Sequence, residues 1–256
     1  MITTVLFDIG GTLLTVKNSP ERRTAFAGRL KARLALYGIE IGMPDEEFGL
    51  LLHDRGEEYK HWGERNLREL PQPVIWNEYF LRDFAVGEEK LAPYAEELSF
   101  LYDYDRVQNI RRPDVKETVD ALSAMGLRQG IISNVMSTSF APHIVKEYGI
   151  DKQMELVLMS SEAGCRKPDP AIFRLACDRM GISLSELCYV GDTISRDVLG
   201  CRRANVGLVI QISNPSVAHR DAMFKDDPNA PKPDFLVQEL NEIPEIIRKW
   251  NGRTQE

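Results

Sequence analysis

The run Ile2-Thr3-Thr4-Val5-Leu6-Phe7 ends on Asp8, and the chain then turns through Ile9-Gly10-Gly11-Thr12. An apolar stretch of this length bounded by a turn describes a strand buried on both faces, which calls for a parallel sheet covered by helices above and below. Such a strand delivers Asp8 to the carboxyl edge of the sheet, where open α/β folds bind their ligands. Position 10 carries no side chain. A second acid there would be the natural proton donor for an aspartate nucleophile, so one half of an acid pair is present and the other is absent.

Four further runs read as buried strands: Gln129–Ile132, Leu156–Met159, Cys188–Val190 and Gly207–Ile212, with Phe235-Leu236-Val237 as a last edge strand. Helical patterns alternate with them at Val115–Ala124, Pro142–Tyr148, Ala171–Met180 and Ser195–Ala204, and Glu239–Trp250 closes the chain. That alternation specifies right-handed βαβ units in an α/β fold with a doubly wound, Rossmann-like parallel sheet. Pro170 occupies a first-turn position with Asp169 as its cap, and Ser183 opens a weaker capping box.

Between Ser19 and Arg112 the rhythm changes. Helical patterns at Arg22–Tyr37, Glu46–Trp62, Pro73–Phe84 and Lys90–Tyr102 succeed one another with no convincing strand. The expectation is an all-α cap over residues 18–112, inserted into a core formed by residues 1–17 and 113–256. Proline-containing linkers are expected at Thr15–Pro20 and Arg111–Asp114. Tyr59, Trp62, Trp76, Tyr79, Phe80 and Phe84 fall at helical spacing and are assigned to packing.

Composition narrows the function. A chain of 256 residues has room for one large or two unequal domains. Its 43% hydrophobic and 28% charged residues exclude wholesale disorder. A net charge of −7 argues against a nucleic-acid partner, which needs clustered Lys and Arg. No apolar run approaches the roughly 18–20 residues of a membrane span, and no leader pattern is visible, so a cytoplasmic protein with no membrane partner is expected. Cys165, Cys177, Cys188 and Cys201 lack metal-knuckle or dithiol spacing and read as structural thiols.

Four groups recur at predicted strand ends or helix starts: Asp8-Ile9-Gly10-Gly11-Thr12, Ser133-Asn134, Lys167-Pro168-Asp169-Pro170, and Gly191-Asp192-Thr193-Ile194-Ser195-Arg196-Asp197. Each alone is an ordinary turn or cap. Together they supply a carboxylate nucleophile, a hydroxyl, a cation and a second pair of carboxylates around one crevice. That inventory suits phosphoryl transfer, in which an anionic nucleophile approaches an anionic group and the charge must be offset. Mg²⁺ held by Asp8 and Asp192, with Lys167 opposite, would offset it, because a hard cation prefers oxygen ligands.

This ordered set resembles the haloacid dehalogenase superfamily, in its phosphatase-like branch with an α-helical cap between the first and second motifs. The resemblance implies that Asp8 is a nucleophile forming an aspartyl-phosphate. It implies phosphoryl-binding roles for Thr12 and Ser133, with Asn134 as a backbone donor beside them. Lys167 would hold nucleophile and phosphate together. Asp192 would bind the metal with Asp8 and the carbonyl of Gly10, and Asp197 would support the metal's water shell. The expected substrate is a small phosphorylated metabolite.

Gly10 is where the chain departs from the pattern, since the superfamily's phosphatases usually place Asp there as general acid. Acid–base catalysis is worth about 10²–10⁴-fold in rate. Three readings stay open. One is a phosphatase for good leaving groups, or one whose cap supplies the proton. Another is a catalytically weak phosphate-binding or regulatory protein. The third is a phosphonate hydrolase, which would need a cap lysine as Schiff base. Lys60 is the only lysine in mid-cap, and its Glu and His neighbours predict no apolar pocket to lower its pKa. The stretch His53-Asp54, Glu57-Glu58 and Lys60-His61 reads as a solvated helix face. A dehalogenase would carry a bulky residue at position 10 and need no metal.

Overall fold

A computed structural model describes residues 1–224 and 226–253. Its centre is β1 (Thr4–Phe7), whose four residues are all buried. A short ribbon pairs β2 (Leu14–Lys17) antiparallel with β3 (Gln108–Arg111). The remaining strands are β4 (Arg128–Ser133), β5 (Met154–Met159), β6 (Leu187–Gly191), β7 (Leu208–Ile212) and β8 (Phe235–Val237). The main sheet has six parallel strands in the order β5-β4-β1-β6-β7-β8. Because the chain leaves β1 towards β4 on one side and later returns to β6 on the other, the topological switch lies at β1, and Asp8 sits at its carboxyl end.

The long helices are α1 (Pro20–Leu36), α2 (Asp45–Asn66), α3 (Ala95–Asp105), α4 (Val115–Ala124), α5 (Phe140–Glu147), α6 (Pro170–Met180), α7 (Leu199–Ala204) and α8 (Ile243–Arg253). Successive residues of β1 point to opposite faces, so Val5 and Phe7 join one core and Leu6 another. On the first face they meet Val119 and Leu122 of α4, Ile144 of α5, and Ile243 and Ile247 of α8. On the second, Leu6, Ile132 and Tyr189 pack with Ile172 and Phe173 of α6 and Cys201 of α7. Asp169 caps α6 by accepting from the Ala171 N–H at 2.9 Å, with Pro170 in the first turn. Ser183 and Glu186 form a capping box.

A third apolar cluster belongs to the helices between β2 and β3. Phe26 and Leu30 of α1, Phe48, Leu52 and Tyr59 of α2, and Leu98 and Tyr102 of α3 surround Trp76 and Phe80. The Trp76 indole donates to Ser99 Oγ at 3.0 Å, which satisfies its buried N–H. Cys177, Cys188 and Cys201 are buried and all four cysteines are free. Among the described residues, no helix is long and apolar enough to cross a membrane.

Several expectations are corrected. The segment from Ser19 to Arg112 does contain a strand, β3, and both expected linkers overlap the β2–β3 ribbon instead of running as loops. Neither strand shows an apolar face; β2 is exposed at Val16 and Lys17, and β3 is only half-buried beyond Gln108. Apart from Leu14, which is buried in the core, the ribbon is stabilised by backbone pairing, which is why hydrophobic periodicity missed it. The helix expected over Ser195–Ala204 begins as a widened turn, Ile194–Val198, in which the Val198 N–H donates to Thr193 O at 3.1 Å. The helix expected over Pro73–Phe84 is likewise broken at Trp76–Phe80.

Gly130 in β4 permits close strand packing: a Cβ there would sit 2.6 Å from Leu156 O and 2.8 Å from Leu6 Cδ2. Gly130→Ala is expected to destabilise the protein by about 1–3 kcal/mol, because the nearest obstacle is backbone that cannot move aside. Denaturant unfolding monitored by fluorescence checks this, and an unchanged midpoint contradicts it.

Candidate active site

The carboxyl ends of three central strands meet in one place. Asp8 follows β1, Ser133 and Asn134 end β4, and Asp192 follows β6. Asp8 is 5% exposed, and its N–H donates to Val190 O at 2.9 Å. Lys167 reaches in from the loop before α6 and is fully enclosed. Its Nζ lies 2.9 Å from Asp8 Oδ1, 2.7 Å from Asp197 Oδ1 and 2.8 Å from Tyr189 Oη. Burial alone would lower this ammonium, but Asp197 and Asp8 beside it hold it above its ordinary value.

Several local features set this geometry. Asn134 clamps the lysine's backbone reciprocally: its Nδ2 donates to Lys167 O at 2.9 Å and its Oδ1 accepts from the Lys167 N–H at 3.0 Å. The widened turn after Thr193 swings Asp197 back, so that its Oδ2 accepts from both the N–H and Oγ1 of Thr193 at 3.0 and 2.6 Å. Gly11 has φ +88, and a Cβ on it would lie 1.8 Å from Asp192 Oδ2. The glycine turn is therefore what lets Asp192 come close. Arg112 Nη2 fastens the turn from outside, donating to Gly11 O at 2.9 Å and Ser213 O at 3.0 Å.

The carboxylates of Asp8, Asp192 and Asp197 each have an oxygen within 4.8 Å of the others, and all are buried. Two such charges about 4–5 Å apart repel by roughly 3–4 kcal/mol at an effective dielectric of about 20. Burial raises Asp8, against the pull of Lys167. Burial and then Asp197 push Asp192 up to about 7. Burial works to raise Asp197 as well, yet Lys167 and Arg196 hold it below its usual range. Arg196 is held above its ordinary value, against burial, by Asp192, Asp197 and Asp8.

Oxygen by oxygen, the cluster is not uniform. Asp197 spends both oxygens on Lys167, Tyr189 and Thr193. Asp192 Oδ2 accepts from Asn214 Nδ2 at 2.8 Å, but its buried Oδ1 has no partner among the described residues. An orphaned buried carboxylate oxygen beside Asp8 fits a hard divalent cation held by Asp8 and Asp192, with Asp197 behind them.

A cavity of about 420 Å³ opens over Asp8 and is lined by Gly10, Ser133, Asn134, Lys167 and Arg196 among others. Thr12 is fully buried beneath the turn, with its hydroxyl unpartnered among the described residues, and it does not line that cavity. Gly10 is exposed to the cavity, and a Cβ there would meet nothing within 4 Å.

The helical segment forms the roof. Asp103 of α3 accepts from the N–H groups of Met136 and Ser137 at 2.9 and 2.8 Å, and burial raises it to about 7 against those donors. Glu96 accepts from the N–H groups of Thr138 and Ser139, each at 2.9 Å. Buried Glu69 takes bonds from Tyr59 Oη, from Ser160 Oγ at 2.6 Å and from Arg166 at 3.3 Å.

The face read as solvated divides. His53, Glu57 and Lys60 line the cavity on one side of α2, while Asp54, Glu58 and His61 are exposed. Lys60 is not left at its ordinary value, because burial and then Arg106 lower it to about 8 despite the ion pair with Glu57. Sequence reading missed Tyr189, Asn214, Arg106 and Arg220. Tyr189 is hidden inside an apolar strand run, and the other three lie in segments without periodicity.

The sequence pattern of the haloacid dehalogenase-like hydrolases matches residues 2–205. The chain is 26% identical to the glyceraldehyde 3-phosphate phosphatase of Methanopyrus kandleri, over 97% of this chain and 98% of that protein. It is 31% identical to the phosphoserine phosphatase of Thermus thermophilus, over 52% of this chain and 51% of that one. The crystal structure of the 2-haloacid dehalogenase from Pseudomonas syringae superposes with a TM-score of 0.66 at 22% identity, over 98% of this chain and 100% of that one.

Of the three acids, Asp192 has the least compensation. Asp192→Asn is expected to raise the unfolding free energy in EDTA by about 1 kcal/mol or more, because it relieves buried like-charge repulsion. The same variant is expected to lose any stabilisation that Mg²⁺ confers. Thermal unfolding with EDTA and with Mg²⁺ reads both effects, and a large destabilisation in EDTA contradicts the first.

Proposed function

Because the chain belongs to the haloacid dehalogenase-like hydrolase family, we propose that it is a Mg²⁺-dependent phosphatase acting on a small phosphorylated metabolite through an aspartyl-phosphate on Asp8. The observation that carries this reading is Lys167, a buried cation bonded to Asp8 and Asp197 beside an acid with a spare buried oxygen. The phosphatase names of the relatives support it too. Residues 18–112 act as the cap over the site. Four free cysteines support a reducing, cytoplasmic setting.

Asp8 Oδ attacks phosphorus, and the bond from phosphorus to the leaving oxygen breaks. Water then attacks the acyl-phosphate, releasing inorganic phosphate and regenerating Asp8. Lys167 and Ser133 hold the phosphoryl oxygens. Asn134 orients Lys167 through its backbone, and Thr12 packs the turn that aims Asp8. Asp8, Asp192 and the Gly10 carbonyl would hold Mg²⁺, which when bound would supply charge neutralisation at the phosphoryl group. No side chain at position 10 protonates the leaving oxygen, so esters with good leaving groups are favoured.

Turnover of p-nitrophenyl phosphate is expected to need Mg²⁺ and to vanish in Asp8→Asn. Binding of phosphate analogues without turnover in the native protein would instead indicate a phosphate-binding protein. Since a side chain at position 10 has open space, Gly10→Asp is expected to raise kcat on an alkyl phosphate by about tenfold or more. No rise would mean that another group already donates the proton.

A further inference from the structure

The cavity over Asp8 continues outward beneath the helical segment, into an adjoining space of about 190 Å³. Three cations from separate parts of the chain line both spaces: Lys60 of α2, Arg106 immediately after α3, and Arg220 from the 215–224 stretch. Gly10, Asn134 and Arg196 also line both, so one ligand can reach from Asp8 to these cations.

Among the described residues, neither guanidinium group has a hydrogen-bonding or ion-pair partner. The Nε atoms of Arg106 and Arg220 are buried with no hydrogen-bond acceptor, and among the described residues neither side chain is in an ion pair. Arg106 lies over the Tyr102 ring, 4.5 Å from its centroid, which leaves its edge donors free. The acids on the same wall are already committed. Glu57 is hydrogen-bonded to Lys60, and Asp103 accepts two backbone N–H groups. The cations also disfavour one another: Arg220 is lowered by burial and then by Arg196 despite Glu57 and Glu64, and Arg106 contributes to the lowering of Lys60 despite Glu57. Buried donors without acceptors, gathered in mutual repulsion, are costly in the free protein. An anion placed among them relieves both costs.

We propose that Lys60, Arg106 and Arg220 bind a second anionic group, a carboxylate or phosphate, on the leaving part of the substrate. This rests on the phosphatase reading, with Asp8, Lys167 and Ser133 holding the phosphoryl end. The substrate class is then a phosphate monoester bearing a second acid a few bonds away.

The test compares 3-phosphoglycerate with glycerol 3-phosphate, which differ in a carboxylate against a hydroxymethyl group, together with a bisphosphate of matched length. KM is expected to be lower by about tenfold or more for the esters with a second acid, as for charged hydrogen bonds of about 1.5–3 kcal/mol. Whether 3-phosphoglycerate or the bisphosphate has the lower KM tells carboxylate from phosphate. Arg220→Gln is expected to bring the KM ratio close to one. Lys60→Gln and Arg106→Gln read the same ratio from other elements, in case one variant fails to fold. Equal KM values in the native protein, or a ratio unchanged in all three variants, would overturn the proposal. Thermal shifts of the Asp8→Asn protein with the same esters decide the point without turnover. A larger shift with the second acid sustains this site even where the phosphatase reading fails, and equal shifts sink it.

Discussion

Everything at the site depends on one buried ammonium. Lys167 stands between Asp8 and Asp197, enclosed from solvent, and removing one partner from such a pair typically costs about 3–5 kcal/mol. The fold spends much of its local detail on holding that charge in place. Asn134 grips the lysine's backbone from β4, Tyr189 meets its tip from β6, and the widened turn before α7 carries Asp197 to it. Three strands and two loops therefore converge on one lysine.

The same cluster explains why the site is electrostatically unfinished. Three carboxylates face Lys167 and Arg196, and the least compensated of them keeps an oxygen with no partner. A site built for catalysis commonly stores instability of this kind, because groups that will neutralise a ligand's charge are poorly neutralised before it arrives. The inner pocket is short of positive charge while the outer wall has an excess of it.

Much of this was legible in the chain itself. The runs at Thr4–Phe7 and Phe235–Val237 match observed strands residue for residue, because each is a short continuous apolar run, buried on both faces in the first and on one in the edge strand. Asp8, Ser133 and Asp192 were legible because they punctuate such runs, and Lys167 because Pro168-Asp169-Pro170 beside it marks a helix start. The ribbon β2–β3 was not, since beyond the buried Leu14 its strands are stabilised by backbone pairing without an apolar face. Nor was the widened turn, which depends on where Asp197 must point and not on any periodicity. Lys60 shows a third kind of limit. Its sequence neighbours are charged, yet the groups that shift it, Arg106 and Arg220, arrive from distant segments, and only the tertiary structure brings them together.

The attachments of the roof bear on traffic in and out of the cavity. The β2–β3 ribbon, the carboxylates of Glu96 and Asp103, and buried Glu69 tie the helical segment to the sheet on three flanks. Swinging it away would break the bonds of Glu69 to Ser160 and Arg166 and wet a buried charge. On the remaining flank the 215–224 stretch is anchored only to the core, through Asp221 accepting from the N–H groups of Ile194 and Ser195. Among the described residues, no hydrogen bond joins it to the helices opposite. Parting the two sides along this seam would therefore break no hydrogen bond between described residues, and Arg220 stands at that edge.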